Sequence, residues 1–213
     1  MRVLVSAYAC EPHKGSEPGT GWNWATQAAR FHETWVLTRA NNRSAIEAAA
    51  GHALAAHIHW VYFDLPDWVR AFKRGRRGHR LYYHLWQLGA WLVAWRLHRA
   101  VRFEVIHHAT FAAYWLPSFL SLVGPPVIIG PVGGGETAPS TFRRAFGARG
   151  YAQELGRALL RRLSLLNPML RMTLSRAALV LATTPDTQAL LRLYGAPDVR
   201  ALHPPVGVTQ QEL

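Results

Sequence analysis

Apolar residues fall along this chain in seven short, unbroken runs rather than in strict alternation with polar ones. They occupy residues 1–10, 34–38, 58–63, 105–110, 125–130, 179–182 and 199–202. Runs of this length, rich in branched and aromatic side chains and bounded by Gly, Pro or Asp, read as strands buried on both faces. Between them the period becomes helical. Residues 22–31 and 44–50 predict short helices, 82–101 a long aromatic one and 114–122 a short one. Residues 151–166 set Leu155, Leu159 and Leu163 on one face and Arg157, Arg161 and Arg162 elsewhere, an amphipathic helix. Asn167-Pro168 interrupts it before a further turn or two to Arg176. Thr184 caps the next helix, with Pro185 at its first position, Asp186 in its first turn and Gly195 at its end.

Strands that alternate with helices predict an α/β fold: a Rossmann-like, doubly wound parallel sheet of about seven strands with right-handed crossovers. In such sheets ligands sit beyond the carboxyl ends of strands, near the point where strand order reverses. Three features belong to strand ends. A glycine loop with Gly15, Gly19, Thr20 and Gly21 follows the first strand, His107 and His108 close the fourth, and Gly133-Gly134-Gly135-Glu136 follows the fifth. A helix opening on the first loop offers unpaired N–H groups and a partial positive charge, which suit a phosphate or pyrophosphate. The loop lacks the spacing G-x-G-x-x-G and contains Glu17, so a tight βα turn explains its glycines equally well.

Composition narrows the class. With 213 residues, half of them hydrophobic, the chain supports one sizeable core. Its formal charge of +12 comes almost wholly from arginine, since only Lys14 and Lys73 are lysines. Such a charge attracts nucleic acid, anionic lipid or phosphorylated ligands. No helix-turn-helix, RNP or zinc-finger pattern supports nucleic acid. The single cysteine, Cys10, excludes an internal disulfide and reads as a buried structural thiol. With no signal-peptide pattern at the N-terminus, the expected compartment is the cytoplasm. Arg70, Lys73, Arg74, Arg76, Arg77 and Arg80 precede a helix carrying Trp86, Trp91 and Trp95. This segment reads either as a helix on the sheet behind a solvated basic loop, or as a peripheral contact with the anionic inner face of the cell membrane.

The strings SAYACEPHKGSEPGTGWNWA, VLTRANNR, HHATFAAYWLPSFL, GPVGGGETAP and LATTPDTQALLRLYGA occur in that order over nearly the whole chain. Together they resemble the N-terminal domain of GT-B retaining glycosyltransferases of family four, in particular bacterial polysaccharide-type members. The resemblance implies that residues 1–203 are the acceptor-side half of a two-domain enzyme and that 204–213 begin the interdomain linker. It implies a C-terminal nucleotide-sugar domain that this sequence lacks, and a fragment inactive alone. The implied reaction moves a sugar from a UDP- or GDP-linked donor to a saccharide or lipid-linked acceptor, with retention and without metal or cofactor.

Carried over by position, Gly15, Gly19, Thr20 and Gly21 approach the donor phosphates, and Gly133, Gly134, Gly135 and Glu136 meet the acceptor. The family pattern His-x-His would place a histidine at Ala109, so this chain departs from it and His108 or His107 substitutes, with His108 favoured. Glu136 has a second reading as a carboxylate at a helix N-terminus. Two rival functions stand beside this one. Arg39, ending the second strand, sits where NAD(P)-dependent Rossmann oxidoreductases hold a 2′-phosphate. The charge alone also fits a basic membrane-surface binding module.

Overall fold

The computed structural model describes residues 1–49, 57–71, 75–139, 141–142, 146–164 and 166–202. Seven strands form one wholly parallel sheet in the order β3-β2-β1-β4-β5-β6-β7. They are β1 (Arg2–Ser6), β2 (Glu33–Arg39), β3 (Ile58–Phe63), β4 (Val105–His108), β5 (Val127–Val132), β6 (Ala177–Ala182) and β7 (Val199–Ala201). The fold is α/β and Rossmann-like, as the alternation predicts.

The unbroken apolar runs have a direct cause. Successive side chains on β1 point to opposite faces, Leu4 into one core and Val3 and Val5 into the other. Helices α1 (Ser16–Ala29) and α2 (Arg43–Ala49) cover one face through Ala25 and Ile46. Helices α4 (Gly75–Val101), α6 (Pro168–Ser175) and α7 (Pro185–Leu193) cover the other through Trp86, Leu170 and Leu191. From β1 the chain steps one way through β2 to β3; from β4 it steps the other way to β7. Right-handed crossovers then force the helices onto opposite faces and open a crevice between β1 and β4. Ser6 and His108 are register partners at that point.

Several elements differ from the sequence expectation. Helix α1 begins at Ser16 rather than 22, so Gly19, Thr20 and Gly21 are helical. Pro18 is tolerated there because first-turn N–H groups have no intrahelical partner. Helix α4 extends back to Gly75, and a short α3 (Asp67–Ala71) precedes it. Residues 114–122 give only a 3-10 turn at Phe119–Leu122, because Pro117 denies its predecessor the helical region. The N-cap of α7 is as expected: Thr184 accepts the Thr187 N–H at 3.2 Å, and Gly195 has φ of 88° at its end. Helix α5 (Gly147–Ser164) buries none of its residues.

The cationic segment resolves in part. Trp86 is fully buried, whereas Trp95 is 38% exposed with the Arg99 guanidinium over its ring. Lys73 and Arg74, and the side chains of Arg76, Arg77 and Arg80, lie outside the described residues, as does the linker expected over 204–213. Among the described residues, no helix is long and apolar enough to cross a membrane.

Candidate functional site

A cleft of about 420 Å³ opens beyond the carboxyl ends of β1, β4, β5 and β6. The start of α1 supplies Ser16, Glu17 and Thr20, and the segment after β4 supplies Phe111 and Trp115. Pro131, Gly133 and Gly134 come from the second glycine loop, and Tyr83 and His84 from α4. The two glycine segments, more than a hundred residues apart in sequence, therefore open on one cavity. Of the sequence-predicted residues, Thr20, Gly133 and Gly134 line it.

Of the remaining glycines, Gly19, Gly21 and Gly135 have packing roles. A Cβ at Gly19 would run into the Lys14 carbonyl, and one at Gly21 into the Ala9 carbonyl. These bare positions seat α1 against the loop after β1 and do not line the cleft. Gly15 carries an ordinary extended backbone, and a Cβ added there would meet nothing within 4 Å. At Gly135 a Cβ would lie 2.6 Å from Thr187 Cα, which fixes the loop against α7.

Both histidines are buried and neither lines the cleft. Adjacent positions on a strand face opposite ways, and the two environments differ accordingly. His107 Nε2 donates to the Gly130 carbonyl at 2.8 Å, and its ring meets Trp24 edge-on. It ties β4 to the bend where Gly130 takes φ of 133°. His108 Nδ1 lies 3.1 Å from Ser118 Oγ, and Nε2 lies 3.4 Å from the Tyr83 hydroxyl. Burial drives both pKa values down to about 4, so both rings are neutral at pH 7. His108 stands directly behind Tyr83, which lines the cleft.

Glu136 also sits outside the cleft lining. Its Oε1 accepts the hydroxyls of Thr184 at 2.9 Å and Thr187 at 3.2 Å, at the start of α7. Partial burial pushes its pKa up, but its own N–H, both threonines and the Gly134 N–H outweigh this and lower it. These contacts tie the second glycine loop to the start of α7.

Glu17, which the sequence marks only as a negative charge within the first glycine loop, lines the cleft. Its Oε2 accepts the Phe111 N–H at 2.8 Å, and although the residue is exposed, partial desolvation of the carboxylate outweighs this bond and raises its pKa. Among the described residues it is the one acid in the cleft's lining. Phe111 is held in the left-handed region at φ 57°, stacked on Tyr83 with ring centroids 4.9 Å apart. Ser16 opposite has φ 59°. Non-glycine residues in this region cost on the order of 1 kcal/mol each and persist where surrounding contacts fix them. The cleft thus combines three aromatic walls (Tyr83, Phe111 and Trp115) with one carboxylate in its lining. The signal was present in the aromatic string after His108 and in Glu17 itself, but only their convergence makes a site.

The position of Arg39 bears on the nicotinamide reading. Its Nη2 lies 3.3 Å from Asp64 Oδ2, with both side chains nearly buried, and its guanidinium sits over the Tyr8 and Tyr82 rings. Tyr82 also donates its hydroxyl to Asp64. A charge so neutralised and enclosed is poorly placed to receive a 2′-phosphate. No protein-family model and no curated protein matches this chain.

Proposed function

We propose that the cleft is the sugar-binding site of a retaining glycosyltransferase, of which this domain forms the acceptor-side half. The observation that carries the reading is the convergence of residues 16–20 and 131–134 on one aromatic-walled cavity at the strand-order reversal. Sugar rings present apolar C–H faces and hydroxyl donors. Tyr83, Phe111 and Trp115 match the first and the Glu17 carboxylate matches the second.

The proposal divides the roles between the two sides of the cleft. Glu17 stands in the first turn of α1, so a phosphate placed on that helix start would meet a negative charge. Hydroxyl donors meet no such penalty, and the α1 side of the cleft takes sugar hydroxyls. The Gly133-Gly134 side, flanked by Trp115 and Thr183, lacks a carboxylate and is left for the diphosphate of a UDP- or GDP-linked donor. In transfer with retention the departing phosphate helps to take the acceptor proton. The protein's part is to hold both partners and stabilise the leaving group. His108 supports the wall through Tyr83 as a positioning residue. The donor contacts of a second domain, and a lipid-linked or saccharide acceptor, complete the proposal. The site is taken to work in the cytoplasm, at the inner membrane face when the acceptor is lipid-linked.

Saturation-transfer NMR with UDP- and GDP-sugars and with free disaccharides tests this. Sugar-ring protons should receive saturation, and Glu17→Gln and Trp115→Ala should each weaken binding about ten-fold. Binding that ignores both substitutions, or that NADPH displaces, would remove the cleft from sugar recognition.

A further inference from the structure

Helix α5 is 18 residues long, about 27 Å at the usual rise, and not one of its side chains is buried. Tyr151, Leu155, Leu159 and Leu163 recur every fourth residue, which places them on one side of the helix, and they are 52–63% exposed. Leu160 and Leu166 are 65% and 74% exposed beside them. Leaving such a stripe in water is unfavourable, so something covers it. The charge on the same helix says what. Arg149, Arg157, Arg161 and Arg162 face a single acid, Glu154, which is already paired to Arg157 at 2.6 Å.

We propose that α5 docks this protein on an anionic lipid bilayer, its leucine stripe at the acyl boundary and Arg149 and Arg162 among the headgroup phosphates. Charge complementarity separates this occupant from a second copy of the chain. Two copies, each of net charge +12, would bring four arginines against four. An amphipathic helix with leucines and tyrosine on one side and arginines around them matches the physics of interfacial attachment, which combines apolar burial with attraction to anionic lipid.

The helix is also fastened to the segment that follows the second glycine loop. Arg161 donates to the Glu136 carbonyl, and Thr137 shares a small cavity with Tyr151 and Leu155. Gly133 and Gly134, a few residues upstream, line the cleft. Docking through α5 therefore brings the cleft mouth to the headgroup layer. Resting on the sugar-transfer reading, this selects a lipid-linked acceptor over a free saccharide.

The test is co-sedimentation of the full chain with vesicles of phosphatidylcholine containing phosphatidylglycerol, against phosphatidylcholine alone. The wild type should bind the anionic vesicles about ten-fold tighter, with affinity falling steeply as salt rises. Leu159→Glu/Leu163→Glu should lose about ten-fold of that binding. These side chains support no core, so circular dichroism and the melting temperature should stay unchanged. Arg149→Gln/Arg162→Gln should flatten the salt dependence. Three results would each overturn the proposal: no vesicle binding, equal binding by the leucine variant, or a lipid-free dimer of the wild type that this variant abolishes. Vesicle binding involves no sugar nucleotide, so its failure leaves cleft binding intact, and loss of cleft binding leaves docking intact.

Discussion

Glu17 and Glu136 are both carboxylates near the start of a helix, yet their surroundings assign them opposite tasks. Glu136 accepts two threonine hydroxyls that hold α7 to the glycine loop. Glu136→Ala should lower stability by about 1 kcal/mol in thermal denaturation, while sugar binding changes little. Glu17→Gln keeps an oxygen for the Phe111 N–H and should leave the melting temperature nearly unchanged while weakening sugar binding. The buried histidines make a separate prediction at this scale. Their folded pKa of about 4 lies below the unfolded value near 6.5, so the unfolded chain binds more protons between these limits. Stability should be full above pH 6.5 and fall as pH drops toward 4, by up to about 3 kcal/mol per histidine. His107→Gln keeps a donor for Gly130 and removes one titration, so a stability-versus-pH series should show a shallower acid limb. An unchanged limb would mean that His107 is not held neutral by the fold.

At the scale of elements, the glycines of α1 act through packing. Gly21→Ala places a methyl against the Ala9 carbonyl, a backbone atom that cannot swing aside. It should cost about 3 kcal/mol, as overpacking does, and Gly19→Val should likewise unfold or shift the loop. Loss of ligand binding in these variants would thus follow loss of the fold. Gly15→Ala meets open space and should change stability by less than about 1 kcal/mol, which chemical denaturation would resolve. The helices divide the same way. Thr184-Pro185 announces α7 because a cap is a local device, satisfied by neighbours in sequence. The start of α1 is hidden because glycines at 19 and 21 argue for a loop until the carbonyls they touch are known. Leu155, Leu159 and Leu163 announce an amphipathic helix, but the pattern says nothing of what the apolar face meets.

Across the whole molecule, the ends of β2 and β3 are clamped to α4 by Arg39, Asp64 and Tyr82. Arg39→Leu would leave Asp64 buried with its cationic partner removed. It should destabilise by about 3 kcal/mol or more, measured by urea unfolding. NADPH fluorescence should show no Arg39-dependent binding.

The order of apolar runs by itself determined the parallel α/β sheet, because a strand buried on both faces needs an unbroken run and a helix to carry the chain back. It also located the strand ends where Gly133, Gly134 and Thr20 meet. Only the tertiary structure decided that His107, His108 and Glu136 sit behind or beside the cleft while Glu17, Tyr83, Phe111 and Trp115 face it. The side on which a residue at a strand end or helix start falls depends on what packs across from it. Those partners lie tens to more than a hundred residues away, beyond the reach of any local pattern.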